Sequence, residues 1–232
     1  MAALVACAAL SASCGSGEAD LQVLFVGNSH TGVNDVPGTV EVIAGANGTS
    51  IEATMIAPGG TRLSDHRFNP EVIDALESGE FDVVVFQEQS QLPSVPQLAE
   101  SQTLPAALAL DAMADEAGTR VVWFQTWAHR EGWPDGGHAA YPSMQDAVVE
   151  TYAEIGRQTG GDVAIAGQRW SRVFLGDPTI DLYDDDGVHA SEIGSYLAAI
   201  AITDALLVGV PLTEAPGVGE VDDDLALRLL TS

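Results

Sequence analysis

The strongest constraint on how this chain can fold is an alternation. Five short runs rich in β-branched and aromatic residues, Leu21–Gly27, Ser50–Ala57, Phe81–Gln87, Arg120–Trp127 and Asp162–Gly167, are each bounded by turn or polar residues. Interleaved with them, Pro37–Ala46, Pro70–Ser78, Gln97–Ala117, Tyr141–Thr159 and Ser191–Val208 carry apolar residues three and four apart, with breakers at their ends. Strand followed by helix, repeated, demands right-handed crossovers and hence a parallel sheet covered on both faces. The run Val83-Val84-Val85-Phe86 shows no polar alternation, as a strand buried on both sides requires. The expectation is an α/β fold in one domain spanning residues 21–232, with no internal repeat and no interior linker.

Composition narrows the partners. Eight basic residues, all of them Arg, stand against 34 acidic ones, a formal net charge of −26. Such a field repels phosphate backbones and anionic headgroups, so nucleic-acid binding is excluded as a working reading, and membrane recruitment by charge with it. At 46% hydrophobic and 18% charged residues the chain has ample material for a core.

The first 20 residues read differently from the rest. Met1 to Ala12 is almost wholly apolar and small, and Ser13-Cys14-Gly15-Ser16-Gly17 follows before the first acids. This has the form of an export signal and tether, and it resembles a bacterial lipoprotein signal, with Ser11-Ala12-Ser13-Cys14 as the box and Cys14 as the lipidated residue. Leu4-Val5-Ala6-Cys7 is a competing box; cleaved secretion and an ordinary apolar terminus are the other readings. The expected location is periplasmic, cell-surface or extracellular, with a membrane link only through that lipid. Both cysteines lie in this segment, so residues 21–232 hold no disulfide. A later apolar stretch, Ala198 to Leu212, is interrupted by Thr203, Asp204 and Gly209 and reads as a buried helix.

An open parallel sheet binds its ligand beyond the carboxyl ends of its strands. There the sequence places Gly27-Asn28-Ser29-His30, Pro58-Gly59-Gly60-Thr61, Gln87-Glu88-Gln89-Ser90 and Trp127-Ala128-His129-Arg130. Near the C-terminal end, Asp184-Asp185-Asp186-Gly187-Val188-His189 leads into the last long helical stretch. Asp186 is three residues before His189, a spacing that lets a carboxylate accept from Nδ1–H and leaves Nε2 free as a base. Asp185, four residues before, competes for that role. Serine is a weak nucleophile and needs such a base, so Ser29 opposite His189 would complete a nucleophile, base and orienting acid. Taken alone, Ser29 after a strand reads as a helix N-cap; the late Asp-x-x-His block changes that reading.

These blocks, Gly27-Asn28-Ser29, Gly59-Gly60 and Asp186-Gly187-Val188-His189, resemble in kind and order those of the SGNH (GDSL-type) hydrolases, over about residues 21–207. The resemblance implies a three-layer α/β/α sandwich on a five-stranded parallel sheet, flavodoxin-like in layout. It also implies a Ser29, His189, Asp186 triad and ester hydrolysis without a cofactor. The family's oxyanion donors are the serine N–H, a glycine N–H and an Asn from a Gly-x-Asn-Asp block. No such Asn follows the third run here. Gln87 is the preferred substitute, with Gln89 next, because a Gln amide offers the same donor on a longer arm. Ser29, Gly59, Gly60, Gln87 and Gln89 are therefore the expected oxyanion group.

His30, Trp127 and His129 are candidate substrate contacts, set against the plainer reading of a surface His and a packed loop. His66 and His138 receive no role. The acidic run fails the calcium-loop register because Leu182 stands at its first position, so no metal is expected. No G-x-x-x-x-G-K-[ST] loop exists, which counts against a nucleotide binder. The substrate expected is a short-chain, acetyl-type ester, on a small molecule or a carbohydrate. The alternative is a non-catalytic cell-surface binding module on the same fold.

Overall fold

In the computed structural model, which describes residues 19–232, the strands are β1 (Leu21–Val26), β2 (Ile51–Ile56), β3 (Val83–Phe86), β4 (Arg120–Phe124) and β5 (Asp162–Ala164). They form one sheet in the order β2-β1-β3-β4-β5, every pairing parallel. The chain winds from β1 outward to β2, then returns to place β3 on the far side of β1. The loops after β1 and β3 therefore diverge, and a crevice opens at that switch point. The expected signal and tether, and Cys14 with them, fall outside the described residues save for the last two of that span.

Among the described residues ten helices follow the strands: α1 (Ser29–Gly32), α2 (Val36–Ala46), α3 (Leu63–His66), α4 (Pro70–Glu77), α5 (Pro96–Leu98), α6 (Leu104–Ala117), α7 (Tyr141–Thr159), α8 (Ala166–Gly176), α9 (Glu192–Leu206) and α10 (Asp223–Leu230). Val23, Phe25, Val85, Val122 and Phe124 on one face of the sheet pack against α2, α8, α9 and α10. Leu24, Val26, Val84, Phe86 and Trp123 on the other face pack against α3, α4, α6 and most of α7. Both sides are thus dry, which is why all four residues of β3 are buried without alternation. Each fully buried Val, Leu or Phe contributes about 1.5–3 kcal/mol. The three-layer expectation holds. No helix among the described residues is long and apolar enough to cross a membrane; residues 198–206 lie within α9, buried against the sheet.

Three local departures matter. The stretch Gln97–Ala117 is not one helix: a widened π turn, Ala99–Thr103, separates α5 from α6. Pro105 sits in the first turn of α6 and has no N–H for a carbonyl in the turn before it, and the wide turn absorbs that defect. The run ending at Gly167 is a strand only to Ala164, and α8 begins at Ala166. β3 and β4 stop at Phe86 and Phe124, so Gln87 and Trp127, read as strand termini, belong to the loops beyond.

Candidate active site

β1 ends at Val26, and after two intervening residues α1 begins with Ser29. Asn28 caps that helix: its Oδ1 accepts from the His30 N–H at 3.1 Å. Its Nδ2 donates to the Thr61 carbonyl at 2.9 Å, which ties the loop after β1 to the loop after β2. Gly27 is required by close approach, since a Cβ there would lie 2.3 Å from Thr31 Oγ1 and 2.6 Å from Gln87 Oε1.

Ser29 Oγ lies 2.9 Å from His189 Nε2, and His189 Nδ1 lies 2.6 Å from Asp186 Oδ2. The structure therefore brings together the three residues expected to form a triad, and it pairs the histidine with Asp186, not Asp185. Asp186 Oδ1 also accepts from the Val188 and His189 N–H groups, each at 2.8 Å. Partial burial pushes the Asp186 carboxyl up, but the His189 ring and these two amides outweigh it and hold the group at about 2. The carboxylate is thus fixed and charged, able to orient the imidazole and stabilise its protonated form.

The loop carrying His189 is held at successive carbonyls. Arg130 N–H donates to Gly187 O at 2.8 Å, the Trp127 indole N–H to Val188 O at 3.0 Å, and Asp184 N–H to His189 O at 2.9 Å. Asn34 Nδ2 donates to Ala190 O at 3.1 Å and to Ser195 Oγ at 3.0 Å. Asn34 and Asp35 both take left-handed φ, 56° and 51°, conformations rare outside glycine and tolerated best by Asn and Asp.

Ser29 and His189 open on a cavity of about 480 Å³ whose wall includes His30, Gly59, Gly60, Gln89 and Ser90. Gly60 adopts φ +73°, which a residue with a side chain rarely enters. Gln89 Oε1 accepts from the Gln91 and Leu92 N–H groups at 2.9 and 3.2 Å, and its Nε2 makes only a long contact, 3.4 Å, to Gln91 Oε1, at the cavity wall. Gln87 is elsewhere. Wholly buried, its Oε1 accepts from Asn28 N–H and Thr31 Oγ1, each at 2.9 Å, and its Nε2 donates to Glu88 O. The preference for Gln87 over Gln89 as a cavity donor is therefore corrected: the room left by Gly27 draws Gln87 inward.

Two candidate substrate contacts are corrected as well. Trp127 is fully buried, stacked on Trp170 at 4.1 Å and 8° between planes, and supports the histidine loop instead of lining the cavity. His129 lies behind Ser90, whose Oγ is 3.5 Å from its Nε2, and Ser90 takes the place on the wall. His30 does reach the wall, its ring 5.0 Å from Trp127 and 5.4 Å from His189. Burial, then the neighbouring His189 and His129, lowers it to about 3, so it is a neutral imidazole.

Against known proteins, no family model and no curated protein matches the chain. Among solved structures, a protein from Slackia heliotrinireducens described as an SGNH hydrolase is 28% identical, with TM-score 0.68, over 80% of this chain and 98% of that one. This chain has the fold of an SGNH hydrolase. The fold is shared with a DUF4886 family protein from Bacteroides uniformis, 20% identical with TM-score 0.73 over 91% of this chain and 92% of that one. It is shared also with a catalytic mutant of an acetylxylan esterase from Geobacillus stearothermophilus, 14% identical with TM-score 0.54 over 82% and 93%.

Two further residues of the site were not singled out by the motifs of the sequence. Glu88 is buried, and its Oε1 accepts from Leu63 N–H at 3.0 Å and Gln89 N–H at 2.8 Å, joining the second and third loops. Burial raises the carboxyl, against the pull of those two amides. His66, at the end of α3, sets Nε2 2.7 Å from the Gly27 carbonyl. Neither residue lies at a motif spacing; only their adjacency to the Gln-Glu-Gln and Gly-Gly blocks pointed near them.

Proposed function

We propose that this chain is a serine esterase or O-deacetylase that cleaves short, acetyl-type esters, with carbohydrate esters as the favoured class. His189 removes the Ser29 proton as Oγ attacks the ester carbonyl, and Asp186 stabilises the imidazolium that results. The oxyanion is held by the Ser29 and Gly60 N–H groups and by the Gln89 amide, which act where charge develops in the transition state. His189 then protonates the departing alcohol. Water, deprotonated by the same imidazole, releases the acid and restores Ser29.

The observation that carries this reading is the unbroken chain from Ser29 Oγ to His189 at 2.9 Å and from His189 to Asp186 at 2.6 Å. A binding module without chemistry has no need for it. The short-acyl preference rests on a polar cavity wall of His30, Gln89 and Ser90, and on the fold shared with an acetylxylan esterase. Export, with or without lipidation at Cys14, is part of the proposal and rests on the composition of residues 1–17.

The test is turnover of p-nitrophenyl acetate and acetylated oligosaccharides, with fluorophosphonate labelling in parallel. Ser29→Ala is expected to lower kcat by on the order of a millionfold and to abolish labelling, with the fold intact. Undiminished turnover in that variant would sink the proposal.

A further inference from the structure

The peptide unit between Gly27 and Asn28, the one just ahead of the nucleophile's own amide, is gripped at both polar atoms by buried side chains. His66 Nε2 lies 2.7 Å from the Gly27 carbonyl oxygen, and the Asn28 N–H donates to Gln87 Oε1 at 2.9 Å. Both side chains are 0% exposed. They come from different loops, His66 from the end of α3 after β2 and Gln87 from the step after β3, and they close on the peptide from two sides.

The roles of the atoms are fixed by chemistry. A carbonyl only accepts, so His66 Nε2 must carry the proton. Its Nδ1 is buried without a partner, and burial lowers its proton affinity, so the ring is neutral with this single N–H. Gln87 must present its oxygen, because both Asn28 N–H and Thr31 Oγ1 approach that atom, while its nitrogen donates to the Glu88 carbonyl. Gly27 has no Cβ because Gln87 Oε1 occupies that space.

We infer that His66 and Gln87 are positioning residues that lock the Gly27–Asn28 peptide and thereby aim the Ser29 N–H at the oxyanion. The inference rests on the serine esterase reading above. The backbone between the clamp and that N–H is Asn28 alone, at φ −142° and ψ −148°, with its side chain committed to the His30 N–H and the Thr61 carbonyl. A rotation of the clamped peptide has no other joint to absorb it before it reaches Ser29. Oxyanion donors contribute only when aimed at the charge as it develops, so a misdirected amide lowers kcat more than KM.

The test compares His66→Leu, which removes the donor, with His66→Gln, which restores an N–H at similar reach, in the full chain with p-nitrophenyl acetate. The control is Val72→Ala, which loosens the buried cluster that also holds Leu63 of α3 and Phe86 of β3, the elements that carry the clamp. His66→Leu is expected to lose roughly 10- to 100-fold in kcat with KM within about twofold, and His66→Gln to recover most of it. Val72→Ala is expected to keep kcat at temperatures where it is folded. Gln87→Met removes the acceptor from the other side and is expected to match His66→Leu, so it carries the test if the latter does not fold. Full kcat in His66→Leu or Gln87→Met overturns the inference. So does equal loss in the Gln and Leu variants, or in Val72→Ala. A wild-type chain that neither turns over esters nor reacts with fluorophosphonate overturns the esterase reading itself and this inference with it; the outcomes above overturn the clamp alone.

Discussion

The Trp127 indole N–H donates to the carbonyl of Val188, the residue immediately before His189, at 3.0 Å. A side chain placed after β4 thus sets the position of a base contributed from just before α9. Trp127→Phe keeps an aromatic ring against Trp170 but removes the N–H donor together with half of the buried indole. The expected result is a stability loss of about 2–3 kcal/mol, from the lost hydrogen bond and the void, and a drop in kcat several times larger than any change in KM, read by denaturant melts and steady-state kinetics. Unchanged kcat would show that the other three carbonyl contacts suffice to hold the loop.

The second prediction separates the two glutamines. Gln89→Ala is expected to lower kcat by about 100- to 1000-fold with little change in stability, because Gln89 lines the cavity and is the amide proposed to hold the oxyanion. Gln87→Ala is expected to lower stability as well, since it strands the Asn28 N–H and the Thr31 hydroxyl without an acceptor. Thermal midpoints measured beside kcat distinguish the two patterns.

Asn34 provides a backbone test. Its left-handed φ of 56° is costly for a residue with Cβ, by roughly 1–2 kcal/mol. Asn34→Ala should therefore lose stability and the link to Ala190, whereas Asn34→Gly should lose the link and keep stability nearer to wild type. If both variants melt alike, the backbone at residue 34 is not the source of the strain.

Acid should destabilise the chain before its carboxylates titrate in bulk. Burial lowers His30, His66 and His129 below the ordinary imidazole range, so the unfolded chain takes up these protons first as pH falls below about 6.5. Stability contributed by keeping them neutral is complete above that pH and declines below it. Glu88 works in the opposite direction: its raised folded value means stability is lost as pH rises from about 4.5. Three histidines outnumber the two carboxyls held above their ordinary range, Glu88 and Asp111, so the thermal midpoint is expected to fall between pH 7 and pH 5. His129→Gln is expected to flatten that slope; a midpoint independent of pH over this interval would contradict the argument.

The sheet and the late Asp-x-x-His block were legible because both rest on local spacing: apolar periodicity for the strands, three residues from Asp186 to His189. The identity of the cavity amide was not. Gln87 and Gln89 lie two apart, and only the space opposite Gly27, 60 residues earlier in the chain, determines that Gln87 turns inward. Trp127 was misread for a similar reason, since its stacking partner Trp170 lies on α8, a helix whose first residues had been read as strand. His66 carried no motif of its own, because its one partner is a backbone carbonyl, and a carbonyl leaves no trace in residue type.

The 160 residues separating Ser29 from His189 have a temporal meaning. At ribosomal speeds of about 5–20 residues per second, the serine emerges roughly ten to thirty seconds before the imidazole proposed to activate it. Throughout that interval the nascent chain holds an unactivated hydroxyl. On the proposed mechanism, hydrolytic competence arrives as a late event of synthesis, when the segment bearing His189 docks beside β1, so a product interrupted before that point would be inert toward the esters of the cell that makes it.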